Sequence, residues 1–74
     1  MKQKDGCPAG QVMNGRTGRC DPRYRVEIID KRSPFDVVEE INETNLQRGR
    51  EWGGERKKGN LSFRIFDKNI QQYI

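Results

Sequence analysis

The chain has 74 residues, 31% of them hydrophobic and 35% charged, with a formal net charge of +4. That bounds it to one small domain with few side chains for a core, and makes a water-excluding catalytic cleft hard to build. With no histidine and two cysteines, a Cys–His nucleophile is excluded and a mononuclear zinc site within one chain lacks ligands.

Residues 1–6, MKQKDG, are basic and no apolar run follows them. The expectation is a chain made in the cytosol without a signal peptide. Residues 7–20, CPAGQVMNGRTGRC, hold both cysteines. Asn14-Gly15 is a strong two-residue hairpin signal, because both positions tolerate positive φ. It makes Val12 and Thr17 cross-strand neighbours, and Pro8 and Gly10 an irregular entry that brings Cys7 toward Cys20. A disulfide closing this loop would stabilise by roughly 3 kcal/mol in the chain-entropy model. Two free thiols are the alternative, since the cytosol is reducing. A disulfide and cytosolic synthesis agree if the chain ends in a particle that leaves the cell.

Residues 24–30, YRVEIID, alternate, with Tyr24, Val26 and Ile28 on one face of a strand. Ser33-Pro34-Phe35-Asp36 reads as a helix start, with Ser33 as N-cap and Pro34 at the first helical position. A helix is expected over residues 34–46. Its apolar stripe is Phe35, Val37, Val38 and Ile41, and Asp36, Glu39, Glu40 and Glu43 form its acidic outer face. Residues 48–59, RGREWGGERKKG, carry five cations, two carboxylates, four glycines and the sole tryptophan. They are expected to form a loop with two main readings, and an arm that docks on an acidic protein is a third. In one, Arg48, Arg50, Arg56, Lys57 and Lys58 form a flexible arm on nucleic-acid phosphates, and Trp52 stacks on a base. In the other, the loop is solvated and Trp52 folds back onto the core. Residues 61–67, LSFRIFD, alternate as a second strand through Leu61, Phe63 and Ile65.

Set side by side, the two strands bring Glu27 near Arg64, a favourable cross-strand pair. A helix between them suits a parallel crossover, and an antiparallel pairing is the alternative. The expected class is α+β: a two-cysteine hairpin segment, residues 1–22, then a β-α-β domain, residues 23–74, with basic loop 48–59. Val26, Ile28, Phe63 and Ile65 would be buried against Phe35, Val38 and Ile41.

Residues 7–22 resemble the two-cysteine adaptor motif of proteins from large DNA viruses, whose core reads Asn-Pro-x-Thr-Gly-Arg. Asn14, Thr17, Gly18 and Arg19 are in register, and Gly15 stands where the family has proline. The segment is also similar to the last loop of chitin-binding peritrophin modules through Cys7, Pro8, Gly10, Cys20 and Asp21. The six cysteines and aromatic sugar platforms of those modules are missing. The viral resemblance implies a non-catalytic adaptor that docks onto other proteins, in a virion or comparable assembly. Arg16 and Arg19 would face carboxylates or carbonyls of a neighbour, and Trp52 would be an interface anchor. The alternative is a small regulatory or inhibitory protein that binds nucleic acid, or a nucleic-acid enzyme, through residues 48–59. No phosphate-binding loop, nucleophile elbow or membrane-length apolar run occurs. Neither reading calls for a cofactor, a metal, a membrane or a small-molecule substrate.

Overall fold

A computed structural model describes residues 6–74, with the side chains at positions 34 and 35 outside the description. The elements are β1 (Gln11–Asn14), β2 (Arg19–Pro22), β3 (Tyr24–Asp30), β4 (Ser33–Glu43), α1 (Leu46–Arg56), β5 (Leu61–Asp67) and β6 (Gln72–Tyr73). The class is α+β. β1 and β2 form a two-stranded sheet of their own, and the other strands form a four-stranded sheet in the order β4-β3-β5-β6.

The hairpin turns differently from the Asn-Gly expectation. Met13 pairs with Cys20 and Asn14 with Arg19, so the loop is residues 15–18 and Val12 faces Asp21 rather than Thr17. Asn14 shapes the loop through its side chain. Its Oδ1 accepts from the amides of Arg16, at 2.9 Å, and Thr17, at 3.3 Å. The Gly18 amide closes back on the Asn14 carbonyl at 2.8 Å. An asparagine that bonds the backbone two residues on makes a turn without positive φ at its own position.

The strands expected at residues 24–30 and 61–67 are β3 and β5. They are antiparallel neighbours, with Val26 opposite Ile65, Glu27 opposite Arg64 and Ile28 opposite Phe63. β4 pairs antiparallel to the other side of β3. β4 and β5 therefore run parallel to each other, and the β-α-β unit is β4-α1-β5 stepping over β3.

The helix expected over residues 34–46 is instead the strand β4. Ser33 caps nothing; its hydroxyl donates to Asp36 Oδ2 at 2.7 Å. Val37, Val38 and Ile41 are β-branched and suit a pleated surface, and a partner strand, β3, stands two residues away across the Lys31-Arg32 turn. The helix lies in the stretch expected to be a loop. Asn45 starts it, its Oδ1 accepting from Gln47 and Arg48 amides at 2.8 and 3.2 Å. Gly49 and Gly53, one turn apart, are buried against the sheet. A Cβ on Gly53 would lie within 2.7 Å of three Phe63 ring carbons, and one on Gly49 would lie 3.1 Å from Val26 Cγ2. Each glycine costs a helix about 1 kcal/mol in propensity, and close seating on the sheet offsets that.

Among the described residues Val26, Ile28 and Ile65 are the buried apolar ones, with Tyr24, Ile41, Leu46, Leu61 and Phe63 packed around them. Val38, expected inside, is 57% exposed. Phe35, also expected inside, lies outside the described side chains.

Candidate functional site

β4 is an eleven-residue strand at the edge of its sheet. Among the described residues nothing pairs with its outer side. It carries Asp36, Glu39, Glu40 and Glu43 and no cation, with Val37 and Val38 exposed. The register against β3 is unbroken from Glu39 to Glu43 and shifts before it. α1 holds two of the carboxylates. Trp52 Nε1 donates to Glu43 Oε2 at 2.8 Å, and Arg48 Nε lies 3.9 Å from Glu43 Oε1. Arg56 Nε donates to Glu39 Oε1 at 3.1 Å, and its guanidinium lies 4.8 Å over the Trp52 ring. Glu40 is exposed and has no such bond.

Trp52 is therefore half-buried, bonded at its indole N–H to Glu43 of β4 and capped by Arg56, and it is not among the side chains packed on the core. Residues 48–59 are not a mobile arm, because most of them are helix. Arg48 and Arg56 are drawn to carboxylates. Arg50 lines, with Leu46, Gln47 and Glu51, an open depression of about 590 Å³. Lys57 and Lys58 follow the helix. Lys31 joins them there, since its amide donates to the Asn60 carbonyl at 2.7 Å and the Leu61 amide to the Lys58 carbonyl at 2.9 Å.

The sheet face away from α1 holds a cluster that the sequence hinted at only through Glu27 and Arg64. Glu27 is 5% exposed. It accepts from Arg25 Nε at 2.8 Å, Arg64 Nε at 2.6 Å and the Tyr73 hydroxyl at 3.0 Å. The guanidiniums cover rings, Arg25 over Phe66 at 4.7 Å and Arg64 over Tyr73 at 5.0 Å. The two rings meet edge to face at 4.9 Å. Burial pushes the Glu27 carboxyl up, but the hydrogen bonds from Arg64 and Tyr73 and the nearby positive charges outweigh it and hold it below its usual value. Tyr73 is placed there by the two-residue strand β6. The legible signal was the i, i+2 spacing of Arg25 with Glu27 and of Arg64 with Phe66, which places each pair on one sheet face.

Arg23 joins the hairpin to the sheet. Its guanidinium makes two bonds to Asp67, each 2.8 Å. Its amide donates to the Gly10 carbonyl and its carbonyl accepts from Lys68, both at 2.9 Å. The Arg23 bonds hold the Asp67 carboxyl below its usual value. Gly10 sits at φ +83°, and a Cβ there would lie 2.6 Å from the Thr44 carbonyl oxygen. Cys7 and Cys20 form a disulfide with Cα atoms 5.6 Å apart, within the usual span. Arg16 and Arg19 are exposed on the hairpin.

No family model, curated protein or solved structure matches this chain. Among the described residues no cluster of three or more His, Cys, Asp or Glu is placed to hold a metal, and no helix is long and apolar enough to cross a membrane.

Proposed function

We propose that this protein is a small non-catalytic adaptor, which works by binding another protein chain along its exposed sheet edge. One observation carries the reading: β4 is eleven residues long, is paired on one side only among the described residues, and exposes Val37 and Val38 at 41% and 57%. An unpaired edge with exposed apolar side chains is a template for another chain. The rigid platform behind it, with α1 seated on its glycines and Trp52 and Arg56 bonded to Glu43 and Glu39, keeps the ordering cost of such a contact low. The resemblance of residues 7–22 to viral adaptors supports a larger assembly, such as a virion, as the setting, with Arg16 and Arg19 on the projecting hairpin as a second contact.

The test is recovery of the tagged full chain from a nuclease-treated extract of its source. The expected outcome is a stoichiometric protein partner that binds again when both are purified, and that is lost with V37S/V38S. Recovery of a monodisperse chain with no partner counts against the adaptor reading.

A second reading, binding of nucleic acid, is favoured by the convergence of Lys31, Lys57 and Lys58 at one end of the sheet. It predicts affinity for a single-stranded oligonucleotide that falls steeply with salt and loses slope when the three lysines are replaced by Gln. The rings of Phe66, Tyr73 and Trp52 each carry a guanidinium of the same chain, which disfavours base stacking on those faces.

A further inference from the structure

We propose that the partner segment is an extended basic strand, added beside residues 38–43 of β4 as the next strand of the sheet. The inference rests on the adaptor reading and adds the chemistry of the occupant. Three observations select it. The register of β4 is regular from Glu39 to Glu43, so one side of the ladder is in place for those five residues. The strand carries four carboxylates and no cation. Of the three in the regular stretch, Glu39 and Glu43 are engaged by Arg56, Arg48 and Trp52, while Glu40 is exposed and unpaired on the face away from α1.

An added strand presents alternate side chains to the two faces. On the face of Glu40 and Asn42 it meets one free carboxylate and an amide whose Oδ1 already accepts from Lys68 Nζ at 3.2 Å, so Glu40 is the group that suits lysine or arginine. Its other side chains lie beside Ile41 and the Trp52–Arg56 stack, which suits Val or Ile. A second copy of β4 fails the same test. Pairing the regular stretch antiparallel with itself about Ile41 would set Glu39 against Glu43 at both ends, and like charges across a ladder are destabilising.

The experiment uses the full chain with its disulfide intact and a blocked hexapeptide, Lys-Val-Arg-Val-Lys-Val, as probe. Backbone amide shifts and hydrogen exchange are followed by NMR. The expected result is slowed exchange and shifted amides confined to residues 37–43. Binding should weaken with salt, fall about tenfold with E40K, and vanish when the central Val of the peptide is Pro, which cannot donate to a ladder. Equal binding of Glu-Val-Glu-Val-Glu-Val would overturn the basic-strand inference and leave the adaptor reading standing. So would slowed exchange of β4 amides that grows with protein concentration in the absence of peptide. Binding of a single-stranded oligonucleotide with no response to any peptide would overturn both.

Discussion

Gly53 and Gly54 are adjacent in sequence and opposite in role. A Cβ on Gly53 enters the Phe63 ring, whereas one on Gly54 meets nothing within 4 Å. Gly53→Ala should therefore destabilise by about 1–3 kcal/mol through overpacking. Gly54→Ala should stabilise by about 0.5–1 kcal/mol through helix propensity. Denaturant unfolding of the two variants reads opposite signs, and a matching sign in both would contradict the seating of α1. The aliphatic positions divide in the same way. Ile28 is 1% exposed and Val38 is 57% exposed. Ile28→Ala should cost about 2–5 kcal/mol, and Val38→Ala should stay within about 0.5 kcal/mol of the parent. A large loss at Val38 would return it to the core that the helical reading of residues 34–46 gave it.

At the scale of elements, α1 depends on a cap and the hairpin on a cross-link. Asn45 accepts from two free amides at the start of α1, and Asn45→Ala should cost about 1 kcal/mol. Asn45→Ser or Asn45→Asp should retain most of the stability, which separates capping from a packing role. Cys7 and Cys20 close the loop that holds β1 against β2. Replacing both by serine should lower stability by up to about 3 kcal/mol in the chain-entropy model. Thermal melting with and without reductant measures the same quantity on the parent chain. Hydrogen exchange should place the loss first in residues 10–22 and leave β3 and β5 protected. The sheet has its own core in Val26, Ile28 and Ile65, whereas the hairpin meets it through Arg23 and Gly10.

At the scale of the molecule, acid stability follows from carboxyls held by positive partners, of which Arg23 and Arg64 come from distant parts of the chain and Arg32 from the adjoining turn. The hydrogen bonds from Arg32 bring Asp30 down to about 2; the bonds from Arg23 lower Asp67, and those from Arg64 and Tyr73 lower Glu27 against the effect of burial. Each folded value lies below its unfolded one, so folding is favoured while the groups are ionised. That contribution is complete above the unfolded range of about pH 4 to 4.5. It is lost as the pH falls through the folded values. The melting temperature should hold steady from pH 7 to about pH 5 and drop below about pH 4. Glu27→Gln with Asp67→Asn should lower stability at pH 7 and flatten that acid limb. An unchanged limb in the double variant would show that these two buried carboxylates do not set it.

The sequence alone determined the two central strands, because period-2 alternation in residues 24–30 and 61–67 needs only a sheet with one buried face. It also marked Cys7 and Cys20 as a pair within reach, and Glu27 with Arg64 as neighbours, since that pairing survives in either strand direction. Tertiary structure decided the rest. Residues 33–43 carry both a helix-start pattern and β-branched side chains, and pairing with β3 resolved them as strand. Residues 46–56 hold three glycines that weaken any isolated helix. Two of those glycines are spaced one turn apart, and they become favourable only where Phe63 and Val26 leave no room for a side chain. Trp52 was visible as a single aromatic in a basic stretch. Its bond to Glu43 and its cover by Arg56 depend on β4 and α1 meeting in space, which local pattern does not encode. The open acidic edge is of the same kind: four carboxylates can be counted in residues 33–43, but only the strand order shows that, among the described residues, they lie on an edge strand.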